Sequence, residues 1–386
     1  MNSKFRFGAA LLAAIAVCVS FAVAPAATAA ALPGLFSPES QLAGGAALIA
    51  LGGMLDVFNT DAFQMRSLTD AINKIPFVPG RLGALGFFQE SGTSSTKIAV
   101  EQRDGILSLL SPTPRGGAGE TSAKVKAELI PLIVPHFQKD DAVYADEVQG
   151  VREFGSEDQL KTVQGVINDR MAEHTTFFDA TLEYQRIGAW KGLITYADSS
   201  TLDLFSTFGV SQESEIDFDL DNASPASGAL ISKINAMTRL IAKNLGGIPY
   251  TGVYALVGDT FWDNLIAHAE VRDTFKYQEG TRLRADMGPF RTLDYGGVTW
   301  ENYRGGVGAT DFVHTDKAHF APTGVPGLFR TVFAPADYME TVNTRGLPRY
   351  AKAIPMDNDK GVRLEMQSNP LSYCTRPKVL IKGKRT

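Results

Sequence analysis

Residues 319–378, HFAPTGVPGLFRTVFAPADYMETVNTRGLPRYAKAIPMDNDKGVRLEMQSNPLSYCTRPK, decide the fold of this chain. Their first part belongs to a longer stretch, Leu283–Thr344, in which glycine, aromatic and β-branched residues alternate with turn residues. This composition predicts short strands and turns rather than helices. Clear helical patterns occur upstream of it, so the sequence predicts an α+β fold with helices between runs of strands.

The longest helical pattern runs from Ser156 to about Ile187. Ser156 and Gln159 have the spacing of a capping box, which favours a helix start at Ser156. Apolar positions then recur at steps of three and four residues, as on one face of an amphipathic helix: Leu160, Val163, Ile167, Met171, His174, Phe178 and Leu182. Such a helix would be more than about 40 Å long, which is enough to form a spine.

Three further elements are predicted downstream of this helix. Ser227–Leu245 forms a second amphipathic pattern that ends at Gly246-Gly247. Tyr250–Val257 has the apolar pattern of a buried strand, and Asp259 is placed to cap a third helix through His268.

Upstream of the long helix, the sequence predicts an extended arm followed by a long β-ribbon. Met54 to about Phe88 is interrupted by prolines, with one short helical stretch at Ser67–Lys74. Strands are predicted at Thr96–Gln102, Ile106–Leu110 and Ala123–Ile130, with Asp104-Gly105 as a hairpin turn and SPTPRGGAGET as an exposed joining loop. Because isolated two-stranded ribbons are marginal in water, we expect this one to lie against a neighbouring subunit.

Composition excludes several classes of protein. The chain has 386 residues, of which 44% are hydrophobic and 20% charged, so it is an ordinary globular sequence. A net charge of −5 gives no basic footprint for sequence-specific nucleic-acid binding. Cys18 and Cys374 are the two cysteines, and Cys18 lies in the first apolar run, so no disulfide framework is expected.

The amino terminus allows two interpretations. Lys4 and Arg6, the apolar run Phe7–Ala24 and the small residues Ala27-Thr28-Ala29 have the pattern of a secretory signal. A second apolar stretch, Leu42–Leu51, leads to Met54, where the composition changes. Either the signal is real, or the start of the gene is assigned too early and translation begins at Met54. We favour the second interpretation, because the family described below assembles in the cytoplasm and opens just after Met54.

Few residues suggest chemistry, and no catalytic, cofactor or metal site is predicted. His174 lies on the apolar stripe, where a core histidine is expected more often than a ligand or base. Asp217, Asp219 and Asp221 are spaced like a calcium loop, but Asn222 and Gly228 replace its glycine and its glutamate, which favours a solvated acidic turn.

Three other sets of residues are equally weak as sites. His314, Asp316 and His319 lack convincing metal-ligand spacing. The run Gly305-Gly306-Val307-Gly308 lacks the third glycine and the helix of a dinucleotide site. Cys374 has no histidine near it in sequence and is interpreted as a structural thiol.

Several blocks of the sequence resemble the major capsid protein E family of lambda-like tailed phages. The blocks are GVPGLF (324–329), APADYMETVNTRGLP (334–348), YAK (350–352), EMQSNPL (365–371) and, near the start, DVFNTDAFQMRSLTDAINKIPFVPGRLG from Asp56. Their order matches over about residues 54–384. The resemblance implies the tailed-phage capsid fold first seen in phage Hong Kong 97, with an N-terminal arm, an extended β-hairpin loop, a peripheral domain containing a long spine helix, and an axial domain.

The resemblance also implies a domain plan and a structural role without enzymatic activity or cofactors. The expected segments are 1–53, signal-like or preceding the true start; 54–88, N-terminal arm; 89–134, extended β-hairpin loop; 135–199, peripheral domain with the spine helix; 200–336, axial domain; and 337–386, return to the peripheral domain. Subunits would form pentamers and hexamers in an icosahedral head, assembled in the host cytoplasm. The implied partners are further copies of the chain, a portal, a scaffolding protein or protease, a decoration protein and packaged DNA bound non-specifically, with no membrane for the mature chain.

Two rival functions remain at this point. The signal-like amino terminus, taken alone, would suit an exported periplasmic or cell-surface binding protein, which would be a monomer. A bacterial nanocompartment shell shares the implied fold but encloses enzymes, and neighbouring genes would distinguish it from a phage. A hydrolase is a distant third, because no nucleophile and base can be paired.

Overall fold

The computed structural model describes residues 80–103, 127–149, 162–277, 291–307, 310–357 and 359–386, which belong to one compact unit. Its helices, in chain order, are α1 (Arg81–Leu85), α2 (Ala145–Val148), α3 (Val163–Lys191), α4 (Leu204–Thr207), α5 (Ala229–Leu245), α6 (Asp259–Ala267) and α7 (Ala269–Tyr277). Its strands are β1 (Phe88–Gly92), β2 (Lys97–Arg103), β3 (Ala127–Ile133), β4 (Phe137–Tyr144), β5 (Leu193–Thr195), β6 (Thr201–Asp203), β7 (Ile216–Asp217), β8 (Gly252–Val257), β9 (Arg291–Tyr295), β10 (Val298–Asn302), β11 (Gly306–Val307), β12 (Thr310–Asp311), β13 (Lys317–Thr323), β14 (Phe329–Phe333), β15 (Tyr350–Pro355), β16 (Gly361–Ser368), β17 (Pro370–Cys374) and β18 (Ile381–Lys384).

A six-stranded mixed sheet with the order β7-β18-β13-β8-β10-β9 forms the larger half of the described fold. Strand β8 lies inside this sheet, and its residues from Val253 to Val257 are all buried, as expected for a strand covered on both faces. Helix α5 packs its apolar stripe into the same core, which contains Trp300 and Phe320. The five stripe residues predicted from the periodicity are the five that α5 buries: Leu230, Ile234, Met237, Ile241 and Leu245.

Two three-stranded sheets join segments that are far apart in the sequence. In the first, β1 pairs in parallel with β14, and β14 pairs antiparallel with β17. In the second, β16 pairs antiparallel with both β15 and β4. The chain after residue 330 therefore returns to the part of the fold where the described residues begin.

Helix α3 connects two separate apolar cores. Its first half places Ile167 and Met171 in a small core with Leu364 and Met366 of β16. Its last turns place Ile187 and Trp190 in the large core. With 29 residues, the helix is about 43 Å long, so the prediction of a spine-length helix with this buried stripe is confirmed.

Strands β2 and β3 form an antiparallel two-stranded ribbon, with Lys97 opposite Ile133 and Arg103 opposite Ala127. The ribbon confirms that β-structure is present on both sides of the Gly- and Pro-rich joining loop. The observed strand runs from Ala127 to Ile133 and so ends beyond the predicted Ile130, while residues 123–126 lie outside the described residues.

Some predicted helix ends and caps are wrong. The long helix begins at Val163 rather than Ser156, because the hydroxyl of Thr162 accepts a hydrogen bond from Gly165 N at 3.1 Å and caps it there. Asp259 does not cap α6: Gly258 precedes the helix, and the Asp259 carboxylate instead accepts from Arg304 Nε at 3.0 Å.

Other predictions differ slightly or fall outside the described residues. Helix α5 begins at Ala229 after Gly228 in a left-handed conformation, and β8 begins at Gly252 rather than Tyr250. The short helix at Ser67–Lys74, the turn at Asp104-Gly105 and the strand Ile106–Leu110 lie outside the described residues.

Candidate functional site

The outer face of the β2–β3 ribbon carries exposed apolar side chains. Leu129 is 66% exposed and Ile133 is 69% exposed, whereas Ile130 and Leu132 between them are buried. Since side chains alternate across a strand, one face of β3 packs on the body and the other faces outward. Leu129 and Ile133 are therefore candidates for contact with another molecule.

The root of the ribbon is fixed by residues 334–348, which we name the signature segment. Gly346 N donates to Thr93 O at 2.8 Å, and Arg345 Nε donates to Gly92 O at 3.2 Å. A Cβ atom at Gly346 would overlap the carbonyl oxygen of Phe333. Only glycine allows the backbone at position 346 to approach the Phe333 carbonyl this closely.

The signature segment also presents apolar side chains to the outside. Met339 is 90% exposed, and Val342 and Leu347 are exposed as well. The backbone beneath them is held in a 3₁₀ turn, Met339–Thr341, in which the Thr341 hydroxyl donates to Ala336 O at 2.6 Å. These side chains form a second exposed apolar surface, on a well-anchored backbone.

Polar residues of the block EMQSNPL hold the signature segment in place. Asn369 Nδ2 donates to Pro335 O at 2.8 Å, and the Asn369 side-chain oxygen lies 2.9 Å from His136 Nδ1. Gln367 Oε1 accepts from Asp337 N at 2.9 Å, and the Ser368 hydroxyl donates to Pro348 O at 2.7 Å. The polar side chains of this block therefore hold the backbone of the signature segment in position.

A buried charged cluster anchors the segment around α1 to the body. Glu301 is fully buried and accepts from Arg81 Nε at 3.0 Å, from Arg81 Nη2 at 2.9 Å and from the Tyr254 hydroxyl. Glu183 of α3 accepts from Leu82 N at 2.8 Å and from the Tyr303 hydroxyl at 3.1 Å.

The electrostatics of this cluster are those of a structural core. Burial raises the pKa of the Glu183 carboxyl, and it raises the pKa of the Tyr254 and Tyr303 hydroxyls above their usual range. Nearby, the buried Arg186 guanidinium pairs with Glu90 of β1 and lies over the Phe88 ring. These buried carboxylates bind donors from separate parts of the fold and thereby stabilise its geometry.

The residues that the sequence singled out are dispersed and mostly used for packing. His174 is buried, with Nε2 3.3 Å from Asp141 Oδ2, and its pKa is lowered chiefly by burial. Cys374 is a buried free thiol whose pKa is raised by burial to about 12. Gly306 and Val307 form β11 rather than the start of a helix.

The two groups considered as metal sites show ordinary contacts. Asp217 pairs with Lys384 at 3.1 Å and accepts from Asp219 N at 2.8 Å, as in an acidic turn. Asp316 lies 3.3 Å from Arg385 Nε, and His319 is buried with a pKa lowered to about 3. Across the part of the chain that the structure describes, no group of three or more His, Cys, Asp or Glu residues is arranged to hold a metal ion. In the same residues, no helix is both long and apolar enough to cross a bilayer.

Sequence reasoning missed the buried charges Glu183, Arg186 and Glu301. The one signal available was that Glu183 and Arg186 interrupt an apolar helical segment. Most of their partners lie about 100 residues or more away along the chain, so the pairing cannot be obtained from local spacing.

The fold is that of a phage capsid subunit. A crystal structure of a prophage protein of E. coli CFT073, assigned as a capsid protein, superimposes with a TM-score of 0.55 at 13% sequence identity. The likeness covers 84% of this chain and 99% of that one. The α+β capsid fold implied by the sequence is thereby confirmed.

Sequence comparison identifies the family. Residues 64–385 match the family described as phage major capsid protein E. The chain is 27% identical over 363 residues to the major capsid protein of Salmonella phage Felix O1, covering 85% of this chain and 98% of that one. It is 26% identical over 348 residues to the major capsid protein of Pseudomonas phage KPP10, covering 83% and 97%.

The chain belongs to the phage major capsid protein E family. It is a structural component of the virion that assembles into a multimeric capsid shell, and its family is not one of enzymes.

Proposed function

We propose that this subunit forms pentamers and hexamers of an icosahedral head around phage DNA, through its two exposed apolar surfaces. The observation that carries the proposal is the outer face of the ribbon, where Leu129 and Ile133 are largely exposed on a two-stranded element. The inner face of β3 already packs on the body through Ile130 and Leu132, so burial of the outer face against a neighbouring subunit would add to the stability of the ribbon.

The signature segment supplies the second contact surface in this proposal. Met339, Val342 and Leu347 project from a segment that is itself bonded to the root of the ribbon at Gly346. Because the two surfaces share one anchored backbone, a neighbour that contacts the ribbon is held in a fixed orientation relative to the signature segment.

The domain plan of the family is proposed for this chain with the boundaries expected from the sequence. Helix α3 and the β15-β16-β4 sheet share a core within segments 135–199 and 337–386, which supports a peripheral domain built from both. Most strands of the six-stranded sheet and helix α5 fall within 200–336, which supports an axial domain there. Segments 54–88 and 89–134 would be the arm and the extended loop.

We further propose assembly in the host cytoplasm with a portal, a scaffolding protein or protease, and a decoration protein as partners. Packaged DNA would be contacted without sequence readout, consistent with the formal net charge of −5. The role of the family supports these partners.

The test is negative-stain electron microscopy of the full chain, expressed alone and with a scaffolding protein. We expect closed shells or capsomer rings from the native sequence. The Leu129→Ser/Ile133→Ser variant should remain folded by circular dichroism, since both side chains are exposed, but should give no shells.

A matched control replaces one exposed apolar residue away from both surfaces. Leu193 is 44% exposed in β5, and Leu193→Ser should assemble normally. Shells from the Leu129→Ser/Ile133→Ser variant equal in yield to those of the native chain would refute the proposed role of the ribbon face.

A further inference from the structure

A cavity of about 600 Å³ opens between the end of α3, the β5–β6 hairpin and the six-stranded sheet. Its lining includes three lysines, Lys191, Lys317 and Lys382. It also includes the apolar side chains of Leu193, Phe205 and Val210. Cavities of 300–1,000 Å³ with apolar walls and a few convergent polar groups are typical of small-molecule sites.

Strand pairing brings the cations of the sheet to one face. His319 of β13 lies directly opposite Lys382 of β18 in the antiparallel register. Lys317 precedes His319 by two residues and therefore points to the same side of the sheet. Lys317 lies directly opposite Lys384 in this register, and directly opposed like charges destabilise a sheet, so this face of the sheet needs compensating negative charge.

The protein supplies only part of that charge. Glu215 Oε1 is shared, at 2.7 Å from Lys317 Nζ and 3.7 Å from Lys382 Nζ. Lys191 Nζ donates to Phe312 O at 2.9 Å, and no carboxylate lies within ion-pair distance of it among the described residues. Asp203 also lines the cavity, where its carboxylate accepts from Phe205 N at 2.9 Å. The three lysines, Glu215 and Asp203 together carry an excess of one positive charge.

His319 gives an independent indication that the cavity is a site. The side chain is only 7% exposed and lines the cavity, and within the described ranges no residue hydrogen-bonds to its ring nitrogens. Burial and the three neighbouring ammonium groups lower its pKa to about 3, so the imidazole is neutral. Burial also lowers the pKa of Lys191, with Lys382 contributing. The ring nitrogens of His319 are not among the buried polar atoms closed off from solvent, so a ligand in the cavity can reach them.

We propose that this cavity binds a small organic anion with one carboxylate group and an apolar body. Lys191 and Lys382 contact the anionic group, the His319 ring completes its hydrogen bonds, and Leu193 and Phe205 pack against the apolar body. A single negative charge makes the site neutral, and an apolar body fills volume that an inorganic anion leaves open.

The test is calorimetric titration of the full-length, unassembled protein with three matched probes at equal ionic strength. Phenylacetate carries both features, acetate carries the charge alone, and 2-phenylethanol carries the apolar body alone. We expect phenylacetate to bind at least about tenfold more tightly than either of the others, because each of them lacks one set of contacts. Equal binding of all three probes would overturn the proposal.

Variants locate the site. Lys191→Met and Lys382→Met should each weaken phenylacetate binding by about tenfold or more, as expected for loss of a charge-assisted hydrogen bond. Lys384→Met is the matched control, since Lys384 lies two residues further along β18 and already pairs with Asp217 at 3.1 Å. Because Lys382 is partly exposed, its variant keeps the test valid if Lys191→Met does not fold. Unchanged affinity in Lys382→Met would refute the site.

A final comparison distinguishes a free anion from an acidic side chain of a neighbouring subunit. We expect assembled shells to bind phenylacetate with the affinity of unassembled subunits. Loss of binding on assembly would mean that a neighbour fills the cavity, and it would overturn the assignment to a small molecule.

Discussion

Arg349 and Asp179 form a buried ion pair, with Arg349 Nη2 donating to Asp179 Oδ1 at 2.5 Å. Both side chains are more than nine-tenths buried. Arg349 follows the signature segment directly, and Asp179 lies in the middle of α3. The pair therefore fixes the position of the signature segment relative to the spine helix. The exposed surface of that segment is held in a fixed position against α3.

Removal of one partner of this pair should be far more harmful than removal of both. Arg349→Met leaves a buried carboxylate without its cation, and we expect the free energy of unfolding to fall by about 3–5 kcal/mol. Arg349→Met combined with Asp179→Leu replaces the pair by apolar contacts and should recover most of this loss. Urea denaturation of unassembled subunits measures both variants, and a double variant no more stable than the single one would contradict the expectation.

Gly346→Ala should destabilise the subunit at the root of the ribbon. The added methyl group would overlap the Phe333 carbonyl and force the signature segment away from Thr93. We expect a loss of about 1–3 kcal/mol or more in the free energy of unfolding. Gly252→Ala is the control, since its nearest neighbour, Thr323 Oγ1, lies at an ordinary 3.5 Å. A loss in Gly346→Ala no larger than that in the control would be evidence against a tight contact.

His319 should make the subunit sensitive to acid. Its pKa is lowered from 6.5 to about 3 by burial and by Lys191, Lys382 and Lys317. The unfolded chain therefore binds a proton that the folded chain does not, and stability falls as the pH drops from 6.5 towards 3. The slope from this group approaches about 1.4 kcal/mol per pH unit.

The measurement compares urea denaturation at several pH values between about 4 and about 6.5. We expect His319→Gln to flatten the dependence of stability on pH in this window. Thr195→Val alters the same cavity without removing a titrating group and should keep the native slope. An unchanged slope in His319→Gln would show that other groups cause the acid sensitivity.

Deletion of Pro112–Thr121 should spare subunit folding and impair assembly. These residues lie between β2 and β3, whose pairing from Lys97↔Ile133 to Arg103↔Ala127 does not depend on the length of the connection. Circular dichroism and thermal unfolding should remain native, while shell yield in electron microscopy falls. Normal shells would show that this part of the loop is dispensable.

The spacing of apolar residues predicted the helices that bury one face and expose the other. The apolar stripes of α3 and α5 are examples, because a helical repeat over several turns has few alternative explanations. Local capping chemistry was less reliable. Ser156 fits the capping rule as well as Thr162 does, and nothing in the local sequence indicates which of the two residues precedes the helix.

Features set by distant contacts could not be predicted. The register of β3 depends on its pairing with β2 across an intervening segment of more than 20 residues, so its end at Ile133 was not predicted. The pairing of β1 with β14 and the buried charges Glu183 and Glu301 depend on tertiary proximity alone. The cavity cations are likewise on separate elements, and nothing in the local sequence of Lys191 indicates Lys382.

The parallel pairing of Phe88–Gly92 with Phe329–Phe333 has a consequence for how quickly the subunit matures. Strand β1 finds its partner roughly 240 residues later along the chain, so this sheet cannot form while the intervening part is still being synthesised. Until then, the apolar residues destined for the core are exposed to other nascent chains. Folding of the subunit therefore requires closure of a long-range strand pair, a kind of step that is intrinsically slow and leaves apolar segments open to aggregation.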